Sequence, residues 1–320
     1  YATRSCLFDI RKLQWHEELL YSFGIDQNKL SEVIKPGDIV GTFKPEWIER
    51  WGIPKEVPLV SAGGDQQCSA IGLGVIHEGT YELTAGTGGY VITMSKELPI
   101  KYHGITVNCS AIPNYYNYET TMLTCSSAFD YFRRLFFPEL DATEVSIRLQ
   151  DQKIGFQNLI VLPFFQGSAT PDWEASRKAD ILGLSFSTSA EDITFACLQA
   201  IACELADHVS LLEEVSGNIA QQIMISGGLT RNQQFTNMLV NLFSAKVVQP
   251  TDFEASIYGA WINTVTQLDI ISDYNNALSK VHKIISLTSY EQDPQLIRTC
   301  TDMLFKYREN KQIRGLSVNI

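Results

Sequence analysis

The run Pro58-Leu-Val-Ser-Ala-Gly-Gly-Asp-Gln-Gln67 passes from apolar residues through two glycines to a carboxylate. Val57 to Ala62 is β-prone, Gly63 and Gly64 permit backbone angles that a side chain forbids, and Gln66 to Leu73 suits a helix. Asp65 is therefore expected at a strand-to-helix turn. A carboxylate there has two roles open to it. It can cap the helix by accepting a free backbone N–H, or it can act as a general base toward a bound hydroxyl.

The next run, Glu82-Leu-Thr-Ala-Gly-Thr-Gly-Gly-Tyr90, reads as the middle of a β-hairpin. Thr80 to Thr84 and Tyr90 to Met94 are β-rich and flank a turn holding Gly86, Gly88 and Gly89. Such a turn lets main-chain N–H groups converge on an anion, and the Thr87 hydroxyl adds a donor; on these residues alone a plain glycine-rich hairpin is the first reading, since glycines serve turns more often than ligands. The pattern Gly-x-x-x-x-Gly-Lys-Ser/Thr is absent, which excludes an ordinary P-loop ATPase.

Downstream the pattern is mixed α/β, without internal repeats. Thr188 and Glu191 fit a capping box ahead of a long helix whose Ile193, Cys197, Ile201, Leu205, Val209 and Leu212 form a core-facing stripe. Its Glu204, Asp207 and Glu213 are expected on the solvated face, and His208 at the surface or in packing. Gln222 to Ser226 reads as a strand ending at Gly227 and Gly228, with a helix starting near Arg231 or Asn232. That junction repeats the logic of Asp65: free N–H groups and glycines admit a phosphate or a flat ring, and Asn232 either pairs with a base edge or caps the helix. Lys246 to Gln249 is a further strand, and Pro250 to Ala260 opens another helix. Gly259 inside that helix costs roughly 1 kcal/mol relative to alanine, which points to close packing against a neighbour or ligand.

Composition narrows the classes. The 320 residues, 45% of them hydrophobic, suffice for two ordinary globular domains. A net charge of −11 opposes nucleic-acid binding, so a small molecule is the expected partner. The seven cysteines lack a Cys-x-x-Cys pair and read as buried thiols of a reducing compartment, and the five histidines show no zinc spacing. No apolar run of membrane-crossing length and no signal peptide are read in the sequence, so no membrane partner and a cytoplasmic location are expected. A homodimer stays open.

Taken in order, Gly-Gly-Asp65-Gln-Gln, Gly86-Thr-Gly-Gly89, Ser226-Gly-Gly-x-x-x-Asn232 and Glu254-Ala-Ser-x-x-Gly259-Ala resemble the FGGY family of carbohydrate kinases along almost the whole chain. Arg4-Ser-Cys-Leu-Phe-Asp-Ile10, Trp15 and Leu30 to Gly41 are similar to the segment preceding the catalytic strand in that family. The resemblance implies α/β, ribonuclease H-like domains of the actin and hexokinase type. Residues 1–76 would be the C-terminal part of a sugar-binding domain, and 77–320 a complete nucleotide-binding domain. Tyr1 would then correspond to a point inside the first domain, making the chain a fragment with little activity alone. The family's opening Asp-x-Gly-Thr loop, which helps hold magnesium, has no counterpart here.

By the same resemblance, Asp65 is the catalytic base, Gln66 and Tyr90 contact the sugar or polyol, and Gly86, Thr87 and Gly88 lie at the nucleotide phosphates. Ser127 lies near the ribose and Gly227, Gly228 and Asn232 form the adenosine site. ATP and Mg2+ are the implied cofactors, with no side-chain metal ligand assigned. Gln166-Gly-Ser-Ala-Thr-Pro171 departs from the Gly-Glu-Arg-x-Pro frequent in relatives, so no ion-pair role is carried over. The expected activity is ATP-dependent phosphorylation of a sugar or polyol hydroxyl. The alternative is a non-catalytic actin-like nucleotide-binding module; an Hsp70-like ATPase would leave Asp65 unexplained.

Overall fold

The computed structural model describes residues 1–156, 158–251 and 254–316. Among these, the largest sheet has seven strands: β1 (Thr80–Ala85), β2 (Gly89–Ser95), β3 (Thr106–Cys109), β4 (Tyr116–Met122), β5 (Gln222–Ser226), β6 (Lys246–Thr251) and β7 (Ser286–Ser289). Their spatial order is β7-β6-β5-β1-β2-β4-β3. The hairpin β1–β2 and strands β4 and β3 pair antiparallel, whereas β5 lies parallel to both β1 and β6. Parallel neighbours need long crossovers, and helices supply them. The helices that matter to the site are α1 (Asp65–Gly72), α2 (Ser126–Phe136), α3 (Ala190–Ser216), α4 (Gln233–Leu242), α5 (Ala255–Gln267) and α6 (Pro294–Leu316). The mixed α/β class read from the sequence is the one observed.

Alternation along the strands gives the sheet two different faces. Tyr81, Leu83, Ala85, Val91, Tyr118, Ile223, Ile225 and Val247 join α3 in the main core. Ile92 and Met94 face the other way, against Ala70 and Ile71 of α1 and Ile262 and Val265 of α5.

Several local expectations change. The α3 cap lies one residue further on: Ser189 Oγ accepts the Asp192 N–H at 3.1 Å and Asp192 accepts the Ser189 N–H at 2.9 Å. Thr188 closes the preceding turn instead, accepting the Ser185 N–H at 3.0 Å. The supposed solvated face of α3 is covered by α6, which returns from the far end of the chain. Glu204 is buried and lies 2.7 Å from Lys311 Nζ and 2.6 Å from the Tyr307 hydroxyl. Asp207 pairs with Arg308 and Lys311, and Glu213 accepts the Ala220 N–H at 2.9 Å. His208 is buried, in packing.

By length and composition α3 could span a bilayer, contrary to expectation, but 83% of its apolar window is buried within the fold. All seven cysteines are free; Cys6 is exposed and Cys109 half-buried, and the others are buried as expected. Pro250 and Thr251 belong to β6, paired with Leu287 and Ser286, so the next helix opens only at Ala255. Asp252 and Phe253, included in that helix by the sequence reading, lie outside the described residues.

The expectation for Gly259 holds. Helices α1 and α5 cross with their backbones in contact: a Cβ on Gly259 would overlap the Cys68 carbonyl oxygen and lie 2.8 Å from the Gly72 nitrogen. A Cβ on Gly72 would overlap the Ala255 carbonyl oxygen. Around this crossing, Ser256 Oγ donates to the Asp65 carbonyl at 3.1 Å, and Asn263 Nδ2 donates to the Ala62 carbonyl at 2.6 Å. Because backbone cannot yield as a flexible side chain does, Gly259→Ala is expected to cost about 3 kcal/mol. Gly228→Ala, which has open space before it, should cost about 0.5 kcal/mol or less. Urea unfolding of the two variants checks the contrast.

Candidate active site

Asp65 is the first residue of α1, and Gly64 occupies the cap position without a side chain. The carboxylate is exposed; its Oδ1 accepts the neighbouring Gln66 N–H at 2.9 Å, and among the described residues Oδ2 accepts nothing. The capping role is therefore met only locally, and one oxygen stays free for chemistry. Gln66 is half-buried beside it.

The β1–β2 turn is braced from one side. Its carbonyls are taken up by the start of α2: Ser126 N–H donates to Gly86 O at 2.8 Å, Cys125 N–H to Thr87 O at 2.9 Å, and Ser127 Oγ to Thr87 O at 2.9 Å. The N–H groups of Thr87 and Gly88 have no acceptor among the described residues, and Thr87 is exposed with its hydroxyl unengaged. A turn with its carbonyls tied down and its amides free has the geometry of an anion cradle. Gly88 is required there, since a Cβ would lie 2.9 Å from the Met122 carbonyl oxygen. The same Cβ would lie 3.4 Å from the Tyr90 hydroxyl, which places Tyr90 alongside the cradle. Ser127, expected near a ribose, serves as a brace for the turn.

The Gly227–Gly228 junction abuts the β1–β2 hairpin. Gly227 adopts a φ of 97°, and a Cβ on it would sit 2.5 Å from the Ala85 carbonyl group. Gly228 has no atom within 4 Å of its Cβ position. For Asn232 the structure selects the capping alternative: it is buried, Oδ1 accepts the Phe235 N–H at 2.9 Å, and Nδ2 donates to Ser146 Oγ at 2.9 Å. Its carboxamide is thus committed to holding α4 rather than presented to a ligand.

A polar row on the sheet face beneath α1 was not singled out in the sequence. Glu82 is buried; its Oε1 accepts from Ser69 of α1 and from Thr84, each at 3.0 Å, while Oε2 has no partner. The Thr84 and Ser226 hydroxyls share a hydrogen bond at 2.8 Å, linking β1 to the end of β5. Glu119, two strands away across Ile92, is clamped by Arg4. Desolvation, helped by Glu119 and opposed by the Ser69 and Thr84 hydrogen bonds, pushes the Glu82 carboxyl up to about 7. The available signal was the alternation of Thr80, Glu82 and Thr84 with Tyr81, Leu83 and Ala85. It marks a polar face but not what covers it.

Among known proteins, the model of the C-terminal domain of the FGGY family of carbohydrate kinases matches residues 82–267, and that of the N-terminal domain matches residues 1–72. A glycerol kinase of Lactococcus lactis is 27% identical over 266 residues, covering 81% of this chain and 52% of the relative. The ligand-bound xylulose kinase from Lactobacillus acidophilus superposes with a TM-score of 0.85 at 20% identity, over 98% of this chain and 64% of that one. Plasmodium falciparum glycerol kinase with ADP gives 0.80 at 22%, over 97% and 62%. The fold is that of these kinases, and the chain spans about half the length of the glycerol kinase it matches.

The position of Glu82 has a measurable consequence. Folded, it keeps a proton until about pH 7, whereas a free carboxyl releases it near 4.5. The folded state therefore binds more protons than the unfolded one across that window, and this group's contribution to stability falls as pH rises through it. Relative to Glu82→Gln, the wild-type protein should lose about 2 to 3 kcal/mol between pH 5 and pH 8. Urea unfolding at both pH values reads this; parallel pH profiles for the two proteins would refute it.

Proposed function

The chain belongs to the FGGY family of carbohydrate kinases, and from that premise we propose that it carries the proton-accepting and nucleotide-phosphate side of ATP-dependent phosphoryl transfer to a sugar or polyol hydroxyl. The carrying observation is that the free carboxylate oxygen of Asp65 and the free amides of the Thr87 turn belong to one tightly packed body. The names of its relatives, glycerol kinase and xylulose kinase, support a polyol or sugar acceptor, and the ADP-bound neighbour supports an adenine nucleotide. The two family matches support a division into residues 1–76, closing a sugar-binding domain, and 77–320, the nucleotide-binding domain.

In this reading Asp65 accepts the proton of the acceptor hydroxyl as that oxygen bonds to the γ-phosphorus, and the bond from phosphorus to the bridging oxygen breaks to leave ADP. The Thr87 and Gly88 N–H groups and the Thr87 hydroxyl donate to phosphate oxygens as charge builds on them. Gly86 keeps the turn tight. The open approach at Gly228 admits a flat base against the backbone, Gly227 sets the junction against Ala85, and Asn232 holds the helix behind it. Gln66 and Tyr90 line the acceptor side.

Magnesium fits this donor set in a limited way. Among the described residues no group of three His, Cys, Asp or Glu side chains forms a cage, and Mg2+ is ordinarily held by one or two carboxylates plus substrate phosphates. No side chain is assigned to it; held on the substrate phosphates, the ion would neutralise phosphate charge.

In the chain joined to the opening part of a sugar-binding domain, Asp65→Asn should lower acceptor-dependent ADP release by about 10³-fold, within the range for a lost general base, while calorimetry shows ATP binding within twofold of wild type. A near-wild-type rate would remove Asp65 as the base. With the opening part of a sugar-binding domain of the family joined ahead of the chain, failure of every sugar and polyol to stimulate ADP release would remove the kinase reading.

A further inference from the structure

Arg4 ends the short turn Ala2–Arg4, which is closed by the Ser5 N–H and the Ser5 hydroxyl, both donating to the Ala2 carbonyl. Its Nη1 and Nη2 donate to Glu119 Oε2 and Oε1 at 2.9 and 3.1 Å, a bidentate clamp across 115 residues of sequence. The Glu119 side chain is 3% exposed, whereas that of Arg4 is 36% exposed. One edge of the guanidinium is thus fixed on a buried carboxylate and the rest is open. A guanidinium has five N–H donors, and among the described residues Glu119 is the only acceptor of any of them.

The sheet carries this clamp to the site. Glu119 and Thr121 share a face of β4, and Tyr90 pairs with Thr121, which makes Tyr90 the diagonal neighbour of Glu119. The Tyr90 hydroxyl lies beside Gly88 in the anion cradle. The guanidinium is held charged above its ordinary value, first by its hydrogen bonds to Glu119 and, against the cost of burial, by the fields of Glu119, Asp65 and Tyr90. Arg4 therefore stands within electrostatic reach of the proposed base and of Tyr90, whose hydroxyl lies beside Gly88.

We infer that Arg4 is an acceptor-binding residue: its open N–H edge donates to an oxygen of the sugar or polyol other than the hydroxyl that Asp65 deprotonates. This rests on the kinase reading of the site. Arginine carries donors only, so the group it recognises is an oxygen lone pair: a second hydroxyl, a ketose carbonyl or a sugar-acid carboxylate. Neutralising Glu119 alone would be met by a fully buried pair; here the Arg4 side chain is 36% exposed and feels the field of Asp65. A lysine at this position lacks the planar fork and cannot hold Glu119 bidentately while presenting further donors in a fixed direction.

The test is titration calorimetry of the full chain with a non-hydrolysable ATP analogue present, using glycerol, xylulose and gluconate as probes. At least one probe should bind, and Arg4→Lys should weaken it tenfold or more with analogue affinity within twofold of wild type. The double variant Arg4→Gln/Glu119→Gln removes both charges, leaves no unpaired buried carboxylate, and should show the same loss with an unchanged circular dichroism spectrum. Wild-type acceptor affinity in that folded double variant overturns the assignment, as does binding of none of the three probes by the wild-type chain. The two readings fail separately. In the chain joined to the opening part of a sugar-binding domain, phosphoryl transfer with an acceptor KM indifferent to Arg4 removes this proposal alone, and Arg4-dependent acceptor binding without transfer removes the kinase reading alone.

Discussion

Two backbones touch where α1 crosses α5, and the geometry of the site hangs on that contact. The crossing is closer than side chains permit, so Gly72 and Gly259 are the residues that allow it. Its consequence is directional. With α1 pressed onto α5, the first residue of α1 is fixed relative to the sheet that α5 packs beneath, and the hydrogen bond from Ser256 to the Asp65 carbonyl fixes the helix start itself. A longer separation would let α1 slide along its neighbour, and an error of about 1 Å at a reacting group can cost 10²-fold in rate. Glycine in a helix is unfavourable by itself; here the local penalty is exchanged for precision at Asp65.

The sheet distributes the remaining roles by its alternation. One face is wholly given to the core around α3, so every group that must meet a ligand or α1 falls on the other face or at the strand ends. Thr84, Tyr90, Thr121 and Ser226 occupy one row at the ends nearest the turn, and Glu82, Ile92 and Glu119 occupy the next row inward. The turn Gly86–Gly88 sits above both rows with its carbonyls secured by α2. Its amides are then free without being floppy, a condition that pre-organised anion binding requires.

Much of this was legible in the sequence because it is local. A strand, two glycines and a carboxylate predict a strand-to-helix turn wherever they occur, and Gly259 in an apolar helix announces close packing. Asn232 was legible only as a choice, since a cap and a base contact use the same carboxamide, and the burial that decides between them is a tertiary fact. Glu204 was misread for a related reason: its helix position is polar by pattern, and nothing nearby says that Tyr307 and Lys311 will come back to cover it. Arg4 and Glu119 were illegible as a pair, because they are joined only when the sheet brings the N-terminal turn against β4.

The same row of the sheet poses a problem of charge that its residues solve in two ways. Glu82 and Glu119 lie two strands apart on one face, about 10 Å by strand spacing, where two carboxylates would repel by roughly 1 to 2 kcal/mol at an effective dielectric of 20. Both are buried, and for Glu82 burial disfavours the charge more than the repulsion from Glu119 does. Glu119 is given a cation, Arg4, with both oxygens satisfied. Glu82 is given two hydroxyl donors on one oxygen and nothing on the other, which is too little to hold a charge near neutrality. One carboxyl is therefore paired and the other keeps its proton to about pH 7. The row thus carries less negative charge near neutrality than two ionised carboxylates would, in a chain of net charge −11.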